Sequence, residues 1–291
     1  DLGLDLVPYP QIFNDVNNQK AEVILYRPTG ESGDFEKANF PIGVEGGKTS
    51  TCPTQNLMEA YDMKDGTPFV WNNQSDPYDN RDPRMKYTIV CNEMKWPVDP
   101  VEIWEGGTNG LPLQNATTTG YYLKKYVNNT ISFEAGSTVT KKQHNWVLFR
   151  YGEILLNYAE AMINAFHDPN YKDAVYNMSA REAVNQIRGR TNISLPGFPS
   201  DITEKDFVKR LKNERRVELA FEGHRFWDVR RWKELGQTAN IYGVKITKNN
   251  EVISYEKFLL ETRAVTDNMY FYPIPNTERF KNPNLGQNLG W

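Results

Sequence analysis

Three carboxylates recur in the second half of the sequence at the spacing of one helix face. Glu214, Glu218 and Glu222 follow one another at i, i+4, so a helix would place them on the same side. Paired carboxylates can perform the acid and base steps of glycoside hydrolysis. However, arginines and acids are nearly equal in number around Trp227 and Trp232, and neighbouring guanidinium groups keep carboxylates ionised. We therefore interpret the cluster as ion pairs that join adjacent helices, with a glycosidase as the alternative.

The other residue types that often carry chemistry form no recognisable motif. His144, His167 and His224 are the only histidines, and their spacing matches neither zinc nor di-iron sites. The sequence contains no Gly-x-Ser-x-Gly elbow, no phosphate loop and no Gly-x-Gly-x-x-Gly turn. Cys52 and Cys91 leave two alternatives open, a single disulfide or two free thiols. We expect no catalytic residue, no metal and no cofactor.

The overall charge argues against nucleic-acid binding, and the short apolar runs argue against a membrane-spanning helix. The chain has 34 basic and 37 acidic residues, so it lacks the positive field that attracts nucleic acid. No stretch approaches the roughly 20 consecutive apolar residues that a membrane-spanning helix requires.

The chain divides into three regions by composition. Residues 1–146 are rich in Gly, Pro, Asn and Thr and form a loop-rich, ligand-facing region. Short strands are predicted there at Glu22–Tyr26, Tyr87–Cys91 and Tyr121–Val127. Residues 237–291 return to turn chemistry after a helical region, and we expect an extended C-terminal segment that packs on the helices.

Residues 147–236 form the helical block. One helix is indicated by apolar residues with a period near 3.6: Leu148, Ile154, Leu155, Tyr158, Ala159 and Met162. Capping boxes at Ser179 to Glu182 and Thr203 to Asp206 begin the next two helices. Gly223 and Gly236 predict the ends of the third and fourth helices. These helices form two antiparallel pairs, which resemble part of a helical-repeat array.

Aromatic and amide side chains concentrate in the loop-rich region. Flat rings stack on sugar C–H faces while Asn, Gln and Arg bond the hydroxyl groups, so this combination is typical of sites for neutral polar ligands. The alternative for each ring is packing beneath a loop. Trp71 precedes three amide side chains, and we expect it to be partly exposed and to stack on a sugar. The predicted ligand-binding residues are Trp71, Asn72, Trp96, Tyr26, Arg27 and Phe35.

Four ordered blocks resemble the SusD/RagB family of outer-membrane nutrient-binding lipoproteins. The blocks are PTQNLMEAYDMKDG from Pro53 with YDNRDPR from Tyr78, FRYGEILLNYAEA from Phe149, ERRVELAFEGHRFWD from Glu214 with Arg231 and Trp232, and YPIPN from Tyr272 with NPNLGQN from Asn282. They occur in family order and span most of the chain. The resemblance identifies the chain as the C-terminal portion of a family member.

The resemblance implies a mainly α fold, a SusD-like α-α superhelix of tetratricopeptide-like helical pairs with a loop-rich insertion containing small β elements. It also implies a lipid-anchored protein on the outer-membrane surface that performs no chemistry. Such a protein passes an oligosaccharide to a SusC-like TonB-dependent transporter. The lipidated cysteine and the N-terminal portion of the same fold are expected outside this sequence. The matched blocks are scaffold in the family, so no ligand role is transferred to them.

Two further functions remain as alternatives. A RagB-like member would capture peptides or glycopeptides on the same scaffold. A tetratricopeptide-type adaptor would bind a protein partner in a concave helical groove and would not bind sugar.

Overall fold

A computed structural model describes residues 3–13, 21–72, 76–136 and 138–291. The helices are α1 (Asp34–Asn39), α2 (Gln55–Met58), α3 (Arg84–Thr88), α4 (Tyr151–Phe166), α5 (Ala180–Arg188), α6 (Glu204–Glu218), α7 (Arg225–Arg231) and α8 (Asn276–Lys281). The strands are β1 (Val23–Ser32), β2 (Ile89–Val90), β3 (Tyr122–Leu123), β4 (Lys142–Arg150), β5 (Asn240–Asn249) and β6 (Val252–Thr262). Short 3-10 helices cover Tyr9–Ile12, Leu235–Thr238 and Asp267–Tyr270. Across these ranges, every helix is too short or too polar to cross a membrane.

The strands form small antiparallel pairs rather than one large sheet. β1 pairs with β4, β2 with β3, and β5 with β6. In the first pair Tyr26 lies opposite Val147 and Arg27 opposite Trp146. This pairing joins the loop-rich region directly to α4, because β4 ends at Arg150 and α4 begins at the next residue.

Two of the predicted strands are shorter in the structure than in the sequence interpretation. The segment Tyr87–Cys91 begins inside α3, because Pro83 has a helical φ of −57° and the side chain of Asp82 accepts a hydrogen bond from the Arg84 amide. The segment Tyr121–Val127 is extended only at Tyr122–Leu123. It then turns, with the Val127 amide donating to the Lys124 carbonyl.

Helices α4, α5 and α6 pack around a common apolar core. The predicted period of α4 is confirmed at Leu155, Ala159 and Met162, which are all buried in that core. It is wrong at Leu148, which lies in β4 rather than α4, and at Ile154, because both side chains are exposed. α5 begins with the predicted capping box, in which Ser179 and Glu182 exchange hydrogen bonds between side chain and backbone. The local start signals in this sequence therefore mark real helix starts.

The predicted helix ends at Gly223 and Gly236 are wrong. α6 ends at Glu218, where the carbonyl of that residue accepts hydrogen bonds from the Tyr9 hydroxyl and an Arg150 Nη. α7 ends at Arg231, and Lys233 takes the left-handed conformation, with φ of 57°, that a terminating glycine usually supplies. Partners distant in sequence satisfy the end of α6, and sequence pattern alone does not reveal them.

The hairpin β5–β6 was not predicted from the sequence. Val244, Ile246 and Tyr255 lie in a large core together with loop-region residues such as Tyr61 and Tyr121. The hairpin therefore packs against the loop-rich region, and the last part of the chain adds the short helix α8.

Both cysteines are free thiols, which decides between the two alternatives left by the sequence. Cys91 is buried in the same core as the hairpin, and burial raises the pKa of its thiol to about 12.

Candidate functional site

The predicted carboxylate cluster is the centre of a buried ionic network. Glu218 is fully buried, and its carboxylate contacts three guanidinium groups: Arg84 at 2.9 Å, Arg150 at 2.8 Å and Arg190 at 2.7 Å. Its neighbour Glu222 lies 2.7 Å from Arg150 Nε. The arginines come from α3, the end of β4 and the loop after α5, so the network joins the loop-rich region to the helical block.

The electrostatics of this network oppose acid catalysis. Burial alone would raise the pKa of Glu218, but the guanidinium groups of Arg190, Arg150 and Arg84 hold it well below its ordinary value. The pKa of Glu222 is lowered in the same way by Arg150 and Lys125. A glycosidase acid needs the opposite shift. The ion-pair interpretation is confirmed, although these glutamates find their partners in distant segments rather than among the arginines beside them in sequence.

No group of three or more His, Cys, Asp or Glu side chains within the described ranges is placed to hold a metal ion. Open clefts on the surface of the described residues offer space for a ligand.

One cleft combines rings, amides and cations. We call it the aromatic cleft, and its volume is about 400 Å³, which is within the range of small-ligand sites. It is lined by Pro10, Phe13, Tyr87, Trp96, Lys124, Lys125, Tyr126, Val127, Asn128, Asn129, Thr130, Lys142 and His144.

The rings of the aromatic cleft are held in fixed orientations by one another. Phe13 packs edge-on against Tyr126 at 4.9 Å between centroids, and Tyr126 lies 5.1 Å from Trp146. Trp146 in turn stacks on His144 at 5.2 Å. Tyr87 is only partly buried at the cleft surface. Its ring lies 6.3 Å from that of Tyr9, and its hydroxyl accepts a hydrogen bond from Asn192 at 3.2 Å, so the partly exposed Tyr87 ring is also held in place.

The polar wall of the cleft is built by a short turn. The Oδ1 atom of Asn128 accepts hydrogen bonds from the amide and hydroxyl of Thr130, at 2.9 and 2.7 Å. The backbone N–H of Asn128 in turn donates a hydrogen bond to the buried carboxylate of Glu36 at 2.9 Å. Within the described part of the chain, the Nδ2 donor of Asn128 makes no hydrogen bond, and Asn129 is exposed. The side-chain amides of Asn128 and Asn129 are therefore positioned to form hydrogen bonds with a polar ligand.

Four of the six predicted ligand residues lie at or near this cleft. Trp96 lines it but is only 7% exposed, with Lys124 Nζ 5.0 Å from its ring centroid. Phe35 is partly buried and packs edge-on against both His144 and Trp146. On β1, Tyr26 is partly buried and Arg27 is exposed opposite Trp146.

The other two predicted residues lie apart from the aromatic cleft. Trp71 is in a loop, partly exposed, and its ring is 6.5 Å from that of Phe69. Asn72 is exposed beside it. The remaining amides of this segment, at positions 73 and 74, lie outside the described residues.

Sequence reasoning missed Tyr87 and the amides Asn128 and Asn129. A signal was present, because Tyr126-Val-Asn-Asn-Thr130 joins a ring to two amides, as Trp71 and its following residues do. Its proximity to Tyr87, which is distant in sequence, follows only from the fold.

Comparison with known proteins gives consistent relatives. The SusD-like protein P2 of Formosa agariphila is 29% identical over 159 residues, which are 53% of this chain and 27% of that protein. The structure is similar to a SusD-like protein of Bacteroides fragilis, with 26% identity, a TM-score of 0.81, and coverage of 99% of this chain and 59% of that one. A SusD-like carbohydrate binding protein of the same species gives 24% identity, a TM-score of 0.78, and coverage of 98% and 58%.

The chain therefore spans little more than half the length of these solved structures. The sequence profile of the SusD family matches residues 12–291, nearly the whole chain, and the protein belongs to that family.

Proposed function

We propose that this chain binds a glycan at the aromatic cleft as a non-catalytic capture protein. The observation that carries the proposal is the pairing of an open ring, Tyr87, with the amides of Asn128 and Asn129 in one cleft of suitable size. The family assignment agrees with the prediction that the chain is not an enzyme.

The six residues predicted from the sequence extend this proposal. Phe35 packs against Trp146 behind the cleft, and Trp96 forms part of the cleft lining. Tyr26 and Arg27 provide a ring and a guanidinium group on the neighbouring strand. Trp71 and Asn72 offer a second ring and amide, which would contact a more distant unit of a long glycan.

We further propose that the protein acts at the cell surface. It would be held there by a lipid anchor in a part of the protein outside this chain, and would deliver the glycan to a SusC-like TonB-dependent transporter of the outer membrane. Family membership supports this location and partner.

The helices α4 to α7 are proposed to be tetratricopeptide-like pairs that continue into the remaining portion of the family fold. Exposed apolar side chains near the junction of β4 and α4 support this proposal: Leu25 and Phe149, which lie opposite each other in the strand pair, are 51 and 45% exposed, and Ile154 on α4 is 38% exposed. Exposed apolar residues in one area indicate a protein contact. The part of the fold that relatives possess and this chain lacks is the occupant we propose.

Calorimetric titration with neutral oligosaccharides and with peptides of similar size tests the function. We expect glycan binding, and we expect Tyr87→Ala to weaken it about tenfold, because stacked rings at binding centres carry much of the affinity. Tyr176→Ala is the matched control, since Tyr176 is 41% exposed on another part of the surface. Binding of peptides alone, or equal effects of the two variants, would contradict the proposal.

A further inference from the structure

A second cleft, which we call the basic cleft, lies along the outer face of α6. Lys205, Lys209, Lys212 and Arg216 follow one another at helical spacing, so a single face of α6 presents four cations. The cleft has a volume of about 450 Å³, enough for a sugar unit. Its other walls are the segment Glu59 to Phe69, Arg225 at the start of α7, and Gln237.

The basic cleft carries a strong excess of positive charge. Six basic and three acidic side chains line it, in a protein whose formal net charge is −3. Each acid already has a cationic partner: Glu59 has Lys257 at 2.7 Å, Asp62 has Arg188 at 3.4 Å, and Glu234 has Lys212 at 2.5 Å. Within the described ranges, no carboxylate lies within 4 Å of the cationic groups of Lys205, Lys209, Arg216 and Arg225. Their charge is available to a ligand.

Two of these cations are held in place by neutral partners. Arg216 donates to the Asn56 carbonyl at 2.7 Å, and Arg225 donates to the Gln237 side chain at 2.8 Å. Burial, and then the nearby charge of Arg225, lower the pKa of Arg216 to about 10. Glu59 acts on Arg216 and Glu234 acts on Arg225 from more than 4 Å away, so an anion bound directly to the two guanidinium groups would stabilise them further.

One wall of the basic cleft is apolar. Pro68, Phe69 and Val208 line it, and Phe69 is fixed by the guanidinium group of Arg81, 3.5 Å from its ring centroid. An inorganic ion would use only the cations. A ring-shaped ligand with a charged substituent would use both walls, since its C–H face can pack on the aromatic ring.

We propose that the basic cleft binds the carboxylate or sulfate group of an acidic saccharide, with a sugar ring packed against Phe69. This proposal rests on the proposed glycan-binding function and names its ligand class. Trp71, 6.5 Å from Phe69, lies where a following sugar unit would extend.

The test compares charged and uncharged forms of one saccharide. Trigalacturonate and its methyl ester share the same rings, and only the first carries carboxylates. We expect the acid to bind the wild-type protein at least tenfold more tightly, and its affinity to fall as salt is added. A sulfated galactan oligomer of equal length distinguishes the two anions, since tighter binding of either one identifies the preferred group.

Lys209→Glu provides the variant, because Lys209 is exposed and its replacement should not disturb the fold. We expect trigalacturonate to bind this variant at least tenfold more weakly, since a charge-assisted contact becomes a repulsion. Lys37→Glu makes the same charge change at an exposed position on α1 and should alter binding less than twofold. Equal binding of acid and ester, or equal effects of the two variants, would overturn the inference.

Failure of this inference can be separated from failure of the proposed function. Neutral glycan that still binds in a Tyr87-dependent way, with no preference for acid, would overturn only the basic-cleft proposal. Absence of binding by neutral and acidic saccharides alike would overturn both.

Discussion

The inner and outer faces of α6 carry charge in opposite arrangements. On the inner face, Glu214 and Glu218 are buried, and each contacts at least two guanidinium groups. On the outer face, Lys205 and Lys209 are exposed to a cleft and have no carboxylate partner in the described part of the chain. The same helix therefore holds a closed ionic network on one side and, on the other, a cationic surface that is only partly paired, through Lys212 and Glu234.

The difference follows from the free-energy cost of an unpaired charge, which is high in the protein interior and low beside solvent. A buried charge without a partner is strongly destabilising, so folding requires the inner face to be fully paired. A cation beside open solvent costs little, so the outer face can leave its pairing to a ligand. Changes on the inner face should therefore alter stability, whereas changes on the open surfaces should alter binding.

The largest expected effect tests the inner face. Glu218→Gln keeps the shape of the side chain but removes the charge that compensates Arg84, Arg150 and Arg190. We expect a loss of about 3 kcal/mol in the free energy of unfolding, measured by chemical denaturation. Glycan affinity should not change at temperatures where the variant is folded.

Glu251→Gln is the control for that measurement, because Glu251 is exposed in the β5–β6 turn and should change stability by less than about 0.5 kcal/mol. If Glu218→Gln instead lost glycan binding with its stability unchanged, the network would belong to the ligand site and the contrast between the two faces would fail.

The helical block shows how far local sequence signals reach. The start of α5 could be predicted, because its capping box lies within four consecutive residues. The end of α6 could not, because Tyr9 and Arg150 satisfy the Glu218 carbonyl from far away in sequence. The ion pairing of the three glutamates could likewise be predicted, whereas their burial and partners such as Arg84, 134 residues from Glu218, depend on the fold.

The candidate sites were less predictable than the helices for the same reason. Chemistry singled out Trp96, but its burial beneath Lys124 depends on packing between loops. The basic cleft was hidden because Lys205, Lys209 and Arg216 resemble an ordinary solvated helix face until Phe69 closes the other wall. Residue types predict the kind of ligand, while tertiary contacts decide which residues meet it.

The second expected effect concerns an open ring. Trp71 packs against the edge of the large core but is partly exposed in its loop, so Trp71→Ala should leave the fold intact at some cost in stability while weakening binding of an extended glycan. Loss of a stacking ring costs about 2 kcal/mol, or roughly thirtyfold in affinity, which titration with a glycan long enough to reach Trp71 would measure. If Trp71→Ala instead destabilised the fold while the folded variant kept the wild-type affinity, Trp71 would be a core residue, as Glu218 is, and not a ligand contact.

Asp62 lies where the inner and outer faces meet. It contacts Arg188 at 3.4 Å and Arg210 at 3.7 Å, and it also lines the basic cleft. Burial raises its pKa to about 6, with Glu214 and Asp82 adding to the rise and the two arginines opposing it. The folded state therefore favours protonated Asp62, and this stabilisation is lost as the pH rises through about 6.

The smallest expected effect is a pH dependence of acidic ligand binding. Lowering the pH from 7 to 5 protonates Asp62 and removes a negative charge from the basic cleft, whereas trigalacturonate stays ionised. We expect its affinity to rise about threefold, because a single screened charge at the edge of a site contributes modestly. Asp62→Asn should bind at pH 7 as tightly as the wild type does at pH 5, and its affinity should be nearly independent of pH. If that variant kept the full pH dependence, another group would be titrating, and Asp62 would act only within the buried network.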